Sequence, residues 1–230
     1  MIEPVVSPDP AASVVVVRPG GASLEVLMVR RRDRGFFGSL VVFPGGGVDT
    51  VDRSPLAFGV VSGDAEDQAH RAAALRELAE ETGLLITTRG VGLAPDLRDE
   101  DLYRALRSQG VSLAGDSLVL LSRWVTPIGA PRRFDARFYL LVVDDPPDVR
   151  LDTSELVEHA WTTPDEALAR YSKGEWPMIL PTLAHLRWLA RRSSPADAVA
   201  SARGADGRTL INPRVEPDGS LVRVYLPGEV

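Results

Sequence analysis

Apolar and polar residues fall into short blocks along the first part of the chain. Residues 1–12 are broken by prolines and acidic side chains and read as a flexible arm. Aliphatic, mostly β-branched runs at 13–18 and 24–30 flank Pro19-Gly20-Gly21, which predicts a strand, a turn and a strand. A further short strand is expected over 40–43, closed by Pro44 and the triplet Gly45-Gly46-Gly47. Residues 48–64, rich in Asp, Gly, Ser and Pro, read as an irregular loop. Over 65–82 the period changes: Ala72, Leu75, Leu78, Ala79 and Thr82 recur at three- and four-residue spacing, the mark of a helix with one apolar face. Gly83 is its natural stop.

Beyond Gly83 the pattern predicts a strand over 84–87 and a helix over 99–109 that buries Leu102, Ala105 and Leu106. Strands follow at 118–125, 134–143 and 156–161. Thr162-Thr163-Pro164 begins a helix, with proline in its first turn. A second amphipathic helix is expected over 181–192. Residues 193–208, rich in Ser, Ala and Gly, are expected to be partly disordered. Pro217-Asp218-Gly219 would turn a terminal hairpin. Strands and helices mix without strict βαβ alternation, so the expected class is α+β, built as an α/β/α sandwich. The arm at 1–12 would precede one domain at 13–192, and a C-terminal extension at 193–230 would pack on that domain.

Composition narrows the function. At 44% hydrophobic and 25% charged residues, 230 residues can bury a core without staples. The absence of cysteine excludes disulfides, zinc–thiolate centres and a cysteine nucleophile, and fits a cytoplasmic protein. A net charge of −6 with scattered arginines argues against a nucleic-acid partner. The N-terminus lacks a signal-peptide pattern, and the valine run at 14–17 is too short to span a membrane. An acidic protein acting on an anion would need bound cations or well-placed arginines.

The stretch from Arg76 to Leu84 carries the chemistry. On a helix, Glu77, Glu80 and Glu81 stand at i, i+3 and i+4 and share one face. Like charges at that spacing repel, and the helix C-terminus disfavours anions. A solvated acidic face is the ordinary reading of such a run. A divalent cation would reverse the balance, and clustered carboxylate oxygens suit Mg²⁺ or Mn²⁺. The upstream Phe43-Pro44-Gly45-Gly46-Gly47 permits close backbone approach and offers a carbonyl.

Arg-Glu-hydrophobic-x-Glu-Glu-x-Gly-hydrophobic resembles the second half of the Nudix box, and residues 76–84 match it at every defined position. The resemblance implies an α/β/α sandwich around a mixed sheet. It also implies a metal site formed by Glu77, Glu80, Glu81 and the Gly46 carbonyl, with Arg76 orienting a glutamate. Segments around Arg123-Trp124-Val125-Thr126-Pro127, 132–139, 155–161 and 180–182 are similar to the subgroup that includes coenzyme A diphosphatases with a loop inserted in the box. One departure stands out. The glycine triplet lies some thirty residues before Arg76, about sixteen more than usual, and the position eight before Arg76, normally glutamate, is Gln68.

The reading is therefore a metal-dependent hydrolase of a nucleotide-derived diphosphate, with coenzyme A or acyl-coenzyme A in view. The alternative is a Nudix-like nucleotide sensor or interaction module without catalysis. Arg34, Phe43, Arg133, Arg137, Tyr139 and Glu155 are the candidate substrate-binding residues. Arg132, Arg133 and Arg137 would clamp phosphates, Phe43 and Tyr139 would stack on a base or fill the core, and the general base is one of Glu80, Glu81, Glu155 and Glu158. A terminal hairpin leaves a homodimer open.

Overall fold

The computed structural model describes residues 6–21, 23–33, 39–63 and 66–211. Its centre is an eight-stranded mixed sheet. β1 (Asp9–Gly20) pairs parallel with β8 (Phe134–Val142) and antiparallel with β2 (Ser23–Arg31) and β4 (Gly45–Gly47). β3 (Val41–Val42) and β9 (Leu156–Thr162) pair with β2, β7 (Val119–Val125) with β8, and β10 (Leu210–Ile211) with β7. A separate hairpin is made by β5 (Leu84–Thr87) and β6 (Gly90–Leu93).

Helices cover both faces. α1 (Pro55–Phe58), α2 (Gln68–Thr82) and α3 (Asp99–Ser108) lie on one; α4 (Pro164–Ser172), α5 (Leu180–Leu189) and α6 (Pro195–Arg203) lie on the other. The alternation of β1 explains the layering. Val14 and Val16 enter the core around α2, Val15 and Val17 enter the opposite core, and all four are fully buried. Small side chains at Ala72, Ala73, Ala74 and Ala79 let α2 lie close to the sheet.

Several elements differ from the sequence expectation. The sheet takes in residues 9–12 of the expected arm, because the β1–β8 parallel ladder starts at Asp9↔Phe134. α2 begins at Gln68. Asp67 spends its buried carboxylate on the Tyr139 hydroxyl, 3.0 Å away, and on Arg137, and makes no side-chain cap. The loop at 48–64 contains a 3₁₀ turn, Val51–Arg53, and α1, which is capped by Ser54. Residues 193–208, expected to be partly disordered, include α6, capped by Ser194, with Ala198 and Ala202 buried in the second core. The expected hairpin around Pro217-Asp218-Gly219 lies outside the described residues. Among the described residues no helix is long and apolar enough to cross a membrane.

Candidate active site

α2 is buried around most of its circumference, and its charged positions from Arg76 to Glu81 pack against β4. Arg76 is 2% exposed and is the hub. Its Nε and Nη2 donate to the two carboxylate oxygens of Asp52, each at 2.9 Å. Nη1 donates to Glu77 at 2.9 Å and to Glu80 at 3.4 Å, and Nη2 also reaches Asp49 and the Gly47 carbonyl. Asp52 is fully buried and accepts a further bond of 2.7 Å from the Tyr103 hydroxyl. Burial works against the Arg76 charge, but the carboxylates of Asp52, Glu77 and Glu80 outweigh it and hold the guanidinium firmly protonated.

The glutamates are strained electrostatically. Burial pushes Glu77 up to about 7, with Arg76 opposing and Glu80 and Glu155 adding to the rise. Burial likewise pushes Glu81 up to about 8, with Arg31 opposing and Glu77 and Glu155 adding. Glu80 is also raised by burial, although its Oε1 accepts the Asp99 backbone N–H at 2.7 Å. Glu81 Oε2 accepts the Gly45 N–H at 2.8 Å, while Oε1 is buried without a hydrogen-bond partner.

β4 explains the glycine triplet. Gly45 has φ +149°, and a Cβ there would stand 2.3 Å from the Ala12 carbonyl oxygen. A Cβ on Gly46 would fall 2.5–2.6 Å from the carboxylate atoms of Glu77. Backbone alone fits between β1 and the glutamates.

The donor set suits a hard divalent ion: carboxylate oxygens, a neighbouring glycine backbone and one orphaned buried oxygen on Glu81. Among the described residues no three acidic or imidazole groups already close on a single point. Glu77 and Glu80 are both ion-paired with Arg76.

On the other face of the sheet a cleft of about 530 Å³ runs from Arg31 and the three glycines to Arg132. Its walls are mainly apolar, with Trp124, Pro127, Phe134, Phe138, Leu180 and Pro181 among them. The Arg132 guanidinium lies over the Phe134 ring, 4.9 Å from its centre. Beneath the cleft, Trp124 Nε1 donates to Ser122 Oγ at 3.0 Å, and Ser122 Oγ lies 2.7 Å from His185 Nε2. His185 also bonds to the Pro181 carbonyl and stacks on Phe138.

The structure brings Arg76, Glu77, Glu80, Glu81 and Gly46 together, with the exposed Glu155 at the rim, where Arg31 spans from Glu81 to Glu155. Phe43 reaches the cleft wall but is itself buried, edge-on to Phe138 and His185, which leaves no face for a stacked base. Three expected contacts point elsewhere. Tyr139 and Arg137 lie on the strand positions that face α2 and are tied to Asp67. Arg133 is buried and donates to the Thr126 and Val6 carbonyls, holding the segment before β1 to the β7–β8 connection. Arg34 lies outside the described residues.

Sequence reasoning missed Asp52, Tyr103 and Arg31. It sought the fourth acidic residue by counting back from Arg76, which lands on Gln68, and Gln68 instead donates its amide to the Phe58 and Val61 carbonyls. Counting forward from Gly46 lands on Asp52, six positions on, at the spacing that the box keeps between its glycine and that acid. The insertion therefore falls between Asp52 and Arg76.

Comparison with known proteins agrees with this geometry. The model of the NUDIX domain family matches residues 7–180. A putative nudix hydrolase 7 of Caenorhabditis elegans is 31% identical over 190 residues, covering 79% of this chain and 60% of the relative. The human acyl-coenzyme A diphosphatase NUDT19 is 33% identical over 156 residues, covering 57% of this chain and 42% of the relative. The chain thus spans less than two thirds of the length of these relatives. The crystal structure of a NUDIX hydrolase from Alicyclobacillus acidocaldarius superposes with a TM-score of 0.73 at 32% identity, over 84% of this chain and 96% of that one. Family model, relatives and fold converge: the chain belongs to the Nudix family and carries a Nudix hydrolase domain.

Proposed function

We propose that the chain hydrolyses the diphosphate bond of a nucleoside diphosphate joined to a second moiety, using Mg²⁺ or Mn²⁺, and that coenzyme A and its acyl derivatives are among its substrates. One observation carries the reading: an apolar cleft opens onto the glycine strand at the point where buried carboxylates lie behind it. The likeness to a protein named acyl-coenzyme A diphosphatase supports the substrate class.

In this reading Glu77, Glu80, Glu81 and the Gly46 carbonyl hold the cation. When bound, it would polarise a phosphate and lower the pKa of the attacking water. Arg76, locked by Asp52, keeps Glu77 and Glu80 in position. Glu155 at the rim takes the proton from water. The cleft holds the organic part of the substrate and excludes water from it.

A metal-dependent hydrolysis screen tests the proposal. It would hold coenzyme A, acyl-coenzyme A, ADP-ribose, NADH, dinucleoside polyphosphates and capped RNA, with products weighed by mass spectrometry. Turnover of a coenzyme A compound that needs the cation and is lost in Glu80→Gln is expected. No turnover of any compound, with no Mn²⁺ binding, would sink the catalytic reading in favour of a sensor.

A further inference from the structure

Among the described residues, Arg31 and Arg132 are the charged side chains that line the cleft. Arg132 sits at the far end, against Phe134 and 4.0 Å from Asp9. Arg31 stands at the end where the cleft meets the glutamates. The β2–β9 ladder shifts register between Arg30 and Arg31. Arg30 turns to Glu158 and the Glu175 carbonyl, and Arg31 is aimed into the cleft.

The side-chain contacts of Arg31 are all long. Its guanidinium lies 3.4 Å from the Gly45 carbonyl, 3.5 Å from Glu155 and 3.6 Å from Glu81. Arginines with structural duties here are held more tightly: Arg76 to Asp52 at 2.9 Å, Arg123 to Asp135 at 2.6 and 2.8 Å. A planar fork of N–H donors, partly desolvated and loosely held beside a cleft, suits bidentate bonding to phosphate oxygens.

We infer that Arg31 is a diphosphate-binding residue, held between Glu81 and Glu155 until a substrate phosphate takes its guanidinium. The inference rests on the diphosphate reading given above. Glu155 then competes with the substrate for Arg31, and Glu81 loses its neighbouring cation as the substrate enters.

Calorimetric titration of the full chain with α,β-methylene-ADP, in EDTA and in Mg²⁺, tests it. Arg31→Ala is expected to weaken binding about tenfold or more in both conditions, and Arg31→Lys, which keeps the charge but loses the fork, by less. Glu155→Gln is expected to tighten binding in EDTA by removing the competitor. In turnover, Arg31→Lys should raise KM more than it lowers kcat. Wild-type affinity in both Arg31 variants, while the wild type binds, overturns the role of Arg31 and leaves the diphosphate reading standing. No binding by the wild type in either condition overturns both. If Arg31→Ala does not fold, Arg31→Lys and Glu155→Gln decide.

Discussion

Asp52 receives both Nε and Nη2 of Arg76 at 2.9 Å, and neither residue is more than 2% exposed. Removing one partner of a buried pair leaves the other charge uncompensated. Asp52→Ala is expected to cost about 3 kcal/mol or more in urea unfolding, and to lower kcat by releasing Glu77 and Glu80. Tyr103→Phe removes one hydrogen bond to the same carboxylate and should cost only about 1 kcal/mol. Equal, small losses in both variants would contradict this arrangement.

Gly46→Ala places a methyl group against the Glu77 carboxylate, the far end of a flexible side chain. The fold can absorb that shift, while the site cannot. Hydrolysis is expected to fall about a hundredfold with little change in Tm. Gly45→Ala meets the Ala12 backbone instead and should lose stability as well. Thermal melts beside kinetic assays of the two variants separate these outcomes.

If Glu77 and Glu81 hold the cation as proposed, their raised carboxyls make its binding pH-dependent. Their pKa values, about 7 and about 8, lie above the ordinary value of 4.5, so the folded state holds protons that the unfolded chain has released. Stability from this source is present at low pH and is lost as pH rises through 7 to 8. A cation needs the ionised form. The rise in Tm on adding Mg²⁺ should therefore grow between pH 6 and pH 8.5, and EDTA should abolish it. A rise independent of pH would argue that the cation binds elsewhere.

His185 sets a second pH dependence with the opposite sign. Burial lowers it from 6.5 to about 4, so between these values the unfolded chain takes a proton that the folded one refuses. Stability from this group is complete above pH 6.5 and falls by about 3 kcal/mol as pH drops to about 4. His185→Phe should be less stable at pH 7, since Ser122 and the Pro181 carbonyl lose a partner, yet show a flatter slope between pH 7 and 5. Denaturant titrations at the two pH values check this.

The layers and the three glutamates were legible because each depends on a local pattern. The unbroken run Val14–Val17 marks β1 as a strand buried on both faces, and three- and four-residue spacing marks α2. Contacts between distant segments were not legible. Asp52 lies in a stretch with no period, and its partner Arg76 is twenty-four positions away. Arg133, Arg137 and Tyr139 have the chemistry of a phosphate or base contact. Which face of β8 meets α2 was decided by packing that no single segment encodes.

The strand Gly45–Gly47 has a consequence for how the protein could change. Gly46 packs against the Glu77 carboxylate, and the three glycines also line the cleft, so in the proposed reading the groups that cut the substrate and the walls that hold it meet at this strand. Trp124, Phe134 and Leu180 belong to different elements from Glu77, Glu80 and Glu81. New substrates could be admitted by reshaping those walls while the glutamates stay as they are, whereas a side chain at Gly45 would meet the β1 backbone and one at Gly46 would displace Glu77.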